Sequence, residues 1–349
     1  TASTDATGNA YSVSNTYSWT QDDTGPTMTI TSNTIASGGT TATAAVVLIY
    51  TSNEATTNFA LADITETGCT GDTFTTTSTT VYGSSCTVAA DGAASVVVAA
   101  DTFTDATGND NTVSNTYSWT QDDTGPTMTI TSNTVNSGAD TNTGAVVLIY
   151  TSNEATSNFA TGDITATGCS DGSFTTTSTT VYGSTCTVSA DGAASVSVAA
   201  GTFSDATGNT NTVSNTYSWT QDDTGPTMTI TSSTVSSGSA TNTAAVALTF
   251  TSNEATSDFA QADITESGCS LGTFGTTSST VYTDTCTVSA DGAASVSVAA
   301  STFTDALANA NSVSNTYSWT QDDTGPTMTI TSNTVSSGAS TTTAAIVLF

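Results

Sequence analysis

The chain contains no lysine, no arginine and no histidine in 349 residues, against 30 aspartates and glutamates, for a formal net charge of -30. Without cations it cannot displace counterions from phosphates, which excludes nucleic-acid binding. Nothing on it attracts an anionic membrane surface either. Catalysis loses most of its tools: no side chain titrates near neutrality, no amine forms a Schiff base, and no Ser-His or Cys-His pair activates a nucleophile. A carboxylate pair runs glycoside hydrolysis in other proteins, but the repeated unit here is too small to wrap a cleft around a sugar. The chain reads as non-enzymatic. Lysine isopeptide crosslinks are excluded, trypsin-type cleavage sites are absent, and no Asn-x-Ser/Thr sequon occurs, which excludes N-glycans. No apolar run approaches the length of a membrane-spanning helix, so no membrane insertion is expected in this segment. No signal peptide is visible; because the chain opens inside a repeat, that says nothing about export.

What is present is one unit, copied. Trp-Thr-Gln-Asp-Asp-Thr-Gly-Pro-Thr-Met-Thr-Ile-Thr-Ser begins at Trp19 and returns unchanged at Trp119, Trp219 and Trp319, a period of 100 residues without insertions. Units are expected at 22–121, 122–221 and 222–321. They are flanked by a partial repeat at 1–21, the C-terminal strand of a unit, and another at 322–349, the N-terminal strands. The whole reads as a window on a longer array.

Within 122–221 the periodicity is that of strands. Pro126 to Ser132 alternates Met128 and Ile130 with threonine, as a half-buried edge strand does. Ala145 to Tyr150 is apolar on both faces and predicts a core strand. Asp163 to Gly168, Phe174 to Thr177 and Val181 to Val188 follow. After the turn Asp191-Gly192 come Ser195 to Ala199, the turn Asp205 to Asn209, and Thr212 to Thr220, with Val213, Tyr217 and Trp219 on a common side. About seven short strands at such spacings predict an all-β chain: tandem immunoglobulin-like β-sandwich repeats of 100 residues arranged as a rod.

The order of Thr-Gly-Pro-Thr-Met-Thr-Ile, Thr-Ser-Asn-Glu-Ala, Phe-Ala-Thr-Gly-Asp-Ile-Thr, Ala-Asp-Gly-Ala and Thr-Phe-Ser-Asp-Ala-Thr-Gly-Asn resembles the bacterial Ig-like repeats of very large surface adhesins. The resemblance covers the whole chain and implies an extracellular, tandem, rod-forming protein. Paired cysteines and missing cations depart from the family pattern.

The cysteines fall two per unit at a constant spacing of 17: Cys69 with Cys86, Cys169 with Cys186, Cys269 with Cys286. With no histidine and two sulfurs per unit, a zinc site lacks ligands, leaving an intradomain disulfide or a pair of buried thiols. A disulfide implies an oxidising compartment, hence the cell surface or the exterior. Acidic positions form the one constellation with possible chemistry: Asp122 and Asp123 at the junction, Glu154, Asp163, Asp191 and Asp205, with Asn209. Calcium takes six to eight oxygen ligands, and Asp122, Asp123, Glu154 and Asp205 are the candidate ligands between units. The same residues also suit plain turns and caps. Tyr217 and Trp219 read as core, with a sugar-stacking platform as the competing reading. The run Thr175 to Thr180 reads either as a polar hairpin or as an O-glycan acceptor. The expected function is a structural filament, stalk or appendage whose partners are copies of itself. Alternatively, the chain is a spacer of a large cell-surface adhesin whose binding domain lies outside this window.

Overall fold

The computed structural model describes residues 3–56, 58–156, 158–256 and 258–349. In the first unit, eight strands run in chain order: β1 Met28–Ser32, β2 Thr40–Thr41, β3 Ala45–Ser52, β4 Ile64–Thr67, β5 Thr70–Thr76, β6 Val81–Thr87, β7 Gly92–Val98 and β8 Tyr117–Gln121. They form two sheets, β1-β3-β6-β5 and β2-β8-β7-β4. All pairings are antiparallel except β2 with β8, which lie parallel with Thr40 opposite Thr120 and Thr41 opposite Gln121. The second and third units repeat the arrangement at offsets of 100 residues, with the β5 equivalent of the third unit split into Ser270–Leu271 and Gly275–Ser278.

Alternation explains which face each strand buries. Along β3, Val46, Leu48, Tyr50 and Ser52 point inward and Val47 outward. Although this strand is apolar on both faces, only one face is covered, because each unit has two layers and no third to pack outside them. Each unit closes its own core. In the second unit this core gathers Met128, Ile130, Leu148, Tyr150, Phe159, Tyr182, Val196, Val198, Phe203, Tyr217 and Trp219. Three separate cores of nearly the same composition make the units independent in packing.

Several sequence expectations need correction. The last strand is Tyr217–Gln221 rather than Thr212 to Thr220, and Val213 is 67% exposed. The residues before Tyr217 are occupied with hydrogen bonds to the start of the unit, Thr212 to Pro126 and Asn215 to Ile130, and so never join the sheet. The strand expected from Asp163 begins at Ile164, because Thr161–Asp163 forms a 3-10 turn in which an Asp163 carboxylate oxygen accepts the Ala160 N–H at 2.8 Å. The strand expected from Phe174 starts at Ser170, and the two-residue strand Asp140–Thr141 was not anticipated. In the flanking partial repeats, the expected strands do not form among the described residues. Only isolated pairings occur, such as Thr4 with Ala10 and Ser332 with Leu348, because no opposing sheet lies beside these segments. Residues 1 and 2 of the first partial repeat lie outside the described residues. The contrast in burial is direct: Tyr17 and Trp19 are 81% and 76% exposed, whereas Tyr117 and Trp119 are 5% and 2%.

Candidate functional site

The acidic constellation forms at the N-terminal pole of each unit, and the local sequence shows why. In Asp205-Ala-Thr-Gly-Asn209, one oxygen of Asp205 accepts the N–H groups of Thr207 at 2.8 Å and Asn209 at 2.9 Å, plus the Thr207 hydroxyl at 2.9 Å. Among the described residues its other oxygen accepts only the Asn209 amide, at 2.9 Å, which leaves that oxygen with lone-pair capacity beyond this bond. Gly208 supplies the positive φ of 92° that closes the turn. The Asn209 amide also donates to the carbonyl of Asp122 at 2.8 Å, tying the turn to the incoming linker. Gly125 is required here, since a Cβ would sit 1.9 Å from the Thr210 carbonyl oxygen. The third element is the loop after Ala145–Ser152, anchored by Asn153, whose side-chain oxygen accepts the Thr127 N–H at 2.6 Å. That loop delivers Glu154.

Asp122, Glu154 and Asp205 thereby present carboxylate oxygens that all lie within 4.8 Å of one another. The same triplet recurs as Asp22, Glu54 and Asp105, and as Asp222, Glu254 and Asp305. Burial pushes Asp205 upward, but the bonds from Asn209 and Thr207 outweigh it and hold the group below the usual aspartate range. The equivalent Asp105 is held at about 2 by the same kind of turn, against the opposing effect of burial. Glu154 moves the other way, raised first by burial and then by the charges of Asp122, Asp205 and Asp91. Asp122 is raised by burial and then by Asp205 and Asp91. Oε1 of Glu154 and of Glu254 is buried with no hydrogen-bond partner among the described residues.

Asp91 is absent from the candidate ligands, although Asp191, its equivalent one repeat on, stands in the acidic constellation of the sequence. Asp91 sits in the Asp-Gly turn before β7, at the C-terminal pole of the preceding unit, and faces the cluster of the next. The register of Gly92 with Gln121 brings it beside the linker, where it accepts the Asp123 N–H at 2.7 Å. The bonds Asp91 accepts from Thr124 and Asp123 lower its pKa, while Asp123, carboxyl to carboxyl with Asp91, is raised. Asp123 thus faces Asp91 and stands outside the triplet, a correction to its place among the candidate ligands. Neighbouring residues of an extended linker point to opposite sides, so Asp122 turns to the triplet and Asp123 to Asp91. Asp191 repeats the role of Asp91 at the next junction, accepting from the Asp223 N–H at 2.8 Å and from the Thr224 hydroxyl.

Several carboxylates converging with an unpartnered oxygen form a donor set suited to a hard, oxygen-loving cation. Asp122, Glu154 and Asp205, faced by Asp91, are the groups that would hold it.

All six cysteines are bonded as spacing suggested: Cys69–Cys86, Cys169–Cys186 and Cys269–Cys286, with Cα atoms 5.6 Å apart in each. Each bridge pins the start of the β5 hairpin to β6 beside a tight passage, where a Cβ on Gly68 would lie 2.1 Å from the Ala93 carbonyl oxygen. Tyr217 and Trp219 lie in the core, which removes the sugar-platform reading. Among the described residues, no helix is long and apolar enough to cross a membrane.

The bacterial Ig-like domain family matches residues 222–320. No curated protein matches the chain. Among solved structures, invasin, described as a bacterial integrin-binding protein, aligns with 84% of this chain at 14% identity and a TM-score of 0.36, and the chain spans 60% of invasin's length. InvD of Yersinia pseudotuberculosis aligns with 85% of this chain and 98% of its own at 12% identity and a TM-score of 0.36. An I-band fragment of titin aligns with 85% and 98% at 7% identity and a TM-score of 0.32.

Proposed function

We propose that the chain, whose residues 222–320 match the bacterial Ig-like domain family and whose other two units repeat that unit's sheets at offsets of 100 residues, is a tandem array of such domains and a non-enzymatic structural segment outside the cell, building a filament, stalk or surface appendage. The observation that carries this reading is the junction. β8 ends at Gln121, the Asp122 N–H is already bonded to the Thr41 carbonyl, the Asp123 N–H is bonded to Asp91, and Thr127 is bonded to Asn153 of the next unit. Little linker remains free to bend, so successive units form a semi-rigid rod with nearest-neighbour contacts. Three disulfides support an oxidising location.

A calcium ion at each junction, held by Asp122, Glu154 and Asp205 with Asp91 of the preceding unit, belongs to this proposal. It would turn the repulsion among those carboxylates into a link between units. The exposed run Thr175 to Thr179 at a hairpin tip is the acceptor we propose for O-glycans. The second reading, a spacer in a large adhesin, is favoured by one observation. A lateral filament contact needs an apolar patch repeated in every unit, but on the outer face Val47 and Val147 give way to Ala247, and Ile49 and Ile149 to Thr249.

Small-angle scattering with calcium and with chelator tests the proposal. The expected result is a rod whose maximum dimension and melting temperature both fall on chelation. If neither changes, the cation is wrong and the rod stands on its linkers; a compact particle in both conditions sinks the rod itself.

A further inference from the structure

Each unit is entered by the chain at Asp22 and left at Asp122, and the first and last segments are laced together over their whole length. In order, the Asn109 amide meets the Asp22 carbonyl at 3.1 Å and the Thr112 N–H meets the Pro26 carbonyl at 3.0 Å. The Asn115 side chain then bridges Ile30, accepting its N–H at 2.7 Å and donating to its carbonyl at 3.0 Å. Next, the Tyr117 hydroxyl meets the Ile35 carbonyl. Gly38 N–H meets the Ser118 carbonyl at 2.7 Å, Thr120 N–H meets Gly39 at 2.9 Å, and Asp122 N–H meets Thr41 at 3.0 Å. Residue numbers rise together on both sides, so the two segments run parallel.

That geometry has a mechanical meaning. Pulling the chain ends apart slides one parallel segment past the other, and the bonds across them carry load together instead of opening one at a time. Such shear geometry is general to Ig-like folds; we infer that in this chain the side-chain amide of Asn115, Asn215 or Asn315 is the central staple of the clamp, replacing the strand that residues before Tyr117, Tyr217 and Tyr317 do not form and setting the force each unit bears. The staple does what a backbone strand would do. It satisfies both the N–H and the carbonyl of Ile30 on the edge of β1 away from β3, in a stretch where residues 112–116 form no sheet. The same pair of bonds recurs at Ile130 with Asn215, 2.7 and 2.9 Å, and at Ile230 with Asn315, 2.8 and 3.0 Å. The Cys69–Cys86 loop lies outside these segments and comes under tension only after the clamp has failed. The inference deepens the structural reading, since it requires a chain pulled along its length, as a stalk or filament is.

The test holds the full chain by its two ends at constant force, where three similar unfolding steps are expected. Asn115→Ala should make one of them about tenfold faster, the scale of two hydrogen bonds lost from a loaded interface, while two keep the wild-type rate. Asn158→Ala removes the acceptor for the Ser204 N–H, a bond of 3.0 Å between loops off the clamp, and should leave its unit's forced unfolding rate unchanged. Should the first variant prevent its unit from folding, Tyr117→Phe removes only the hydroxyl at Ile35 and is expected to speed the same step by a smaller factor. Wild-type rates in Asn115→Ala, or in Tyr117→Phe where that is used, overturn the clamp, as does equal acceleration by Asn158→Ala. A chain that scatters as a rod yet yields without regard to these bonds loses the clamp and keeps the rod. A flexible chain whose units resist force in the expected way does the reverse.

Discussion

The same three acidic residues occur at the N-terminal pole of the first unit and of the second, in different surroundings. Asp22, Glu54 and Asp105 converge as Asp122, Glu154 and Asp205 do, but Asp22 is exposed where Asp122 is half-buried. Among the described residues, Glu154 has a buried oxygen without a partner, as does Glu254. The difference is the cover. Asp91 of the first unit faces the second cluster and contributes its charge to Asp122 and Glu154, just as Asp191 does at Glu254. Folding one unit brings the carboxylates together and already buries Asp105 as fully as Asp205; stacking a second unit takes Asp122 partly out of water and adds the charge of Asp91, and like charges repel more strongly there. The junction is thus a place where charge has been concentrated and enclosed by assembly.

The largest expected effect tests whether the poles are the same apart from that cover. Gly25→Ala and Gly125→Ala each force a Cβ to within 1.8 and 1.9 Å of a carbonyl oxygen, at Asp110 and Thr210. Each should cost about 3 kcal/mol in thermal unfolding of its own unit. Unequal losses would mean that the two poles differ in frame as well as in cover.

Charge removal separates them. With chelator present, Glu154→Gln relieves an enclosed repulsion and should stabilise by roughly 1 kcal/mol, whereas Glu54→Gln, half-buried but beside an exposed Asp22, should change stability by less than about 0.5 kcal/mol. Calorimetry of the two variants side by side reads the difference; equal shifts would remove the role of cover. With calcium, Glu154→Gln should destabilise instead, through loss of a proposed ligand.

Smaller again is the dependence on pH. Glu154, Asp122 and Asp123 have raised pKa values in the folded chain, so their contribution to stability is present at low pH and lost as pH rises through those values. Asp105, Asp205 and Asp91 are lowered, so theirs is present above the ordinary aspartate value of 3.8 and lost as pH falls below it, for Asp105 down to about 2. Melting temperature in chelator should therefore rise as pH falls from neutrality toward the ordinary carboxylate range, then drop below it. Calcium should flatten the first limb and leave the second. A monotonic fall with acid in chelator would contradict enclosed repulsion at the junctions.

Much of this was legible because it is local. Alternation marked the strands, a period of 100 marked the units, and a constant spacing of 17 marked the disulfides. Asp122, Glu154 and Asp205 were picked out as turn and linker acids. What was not legible depends on register between distant segments. Asp91 reads as an ordinary Asp-Gly turn until β7 pairs with β8 and carries it to the next unit's linker. Asn115 reads as one polar residue among many, and its role exists only because Ile30 lies beside it across 85 positions of chain. Val213 looked like a strand residue by periodicity, yet its neighbours bond to the start of the unit, and hydrogen bonding decided its place.

If cover by the preceding unit completes the proposed cation site, calcium stoichiometry follows the number of covered poles. Among the described residues there are three acidic triplets, of which the two at Asp122 and Asp222 are faced by an aspartate of the preceding unit. Isothermal titration of the full chain with calcium should find two tight sites, and Asp91→Asn should weaken one of them. Three equivalent sites, or no calcium binding at all, would contradict the account.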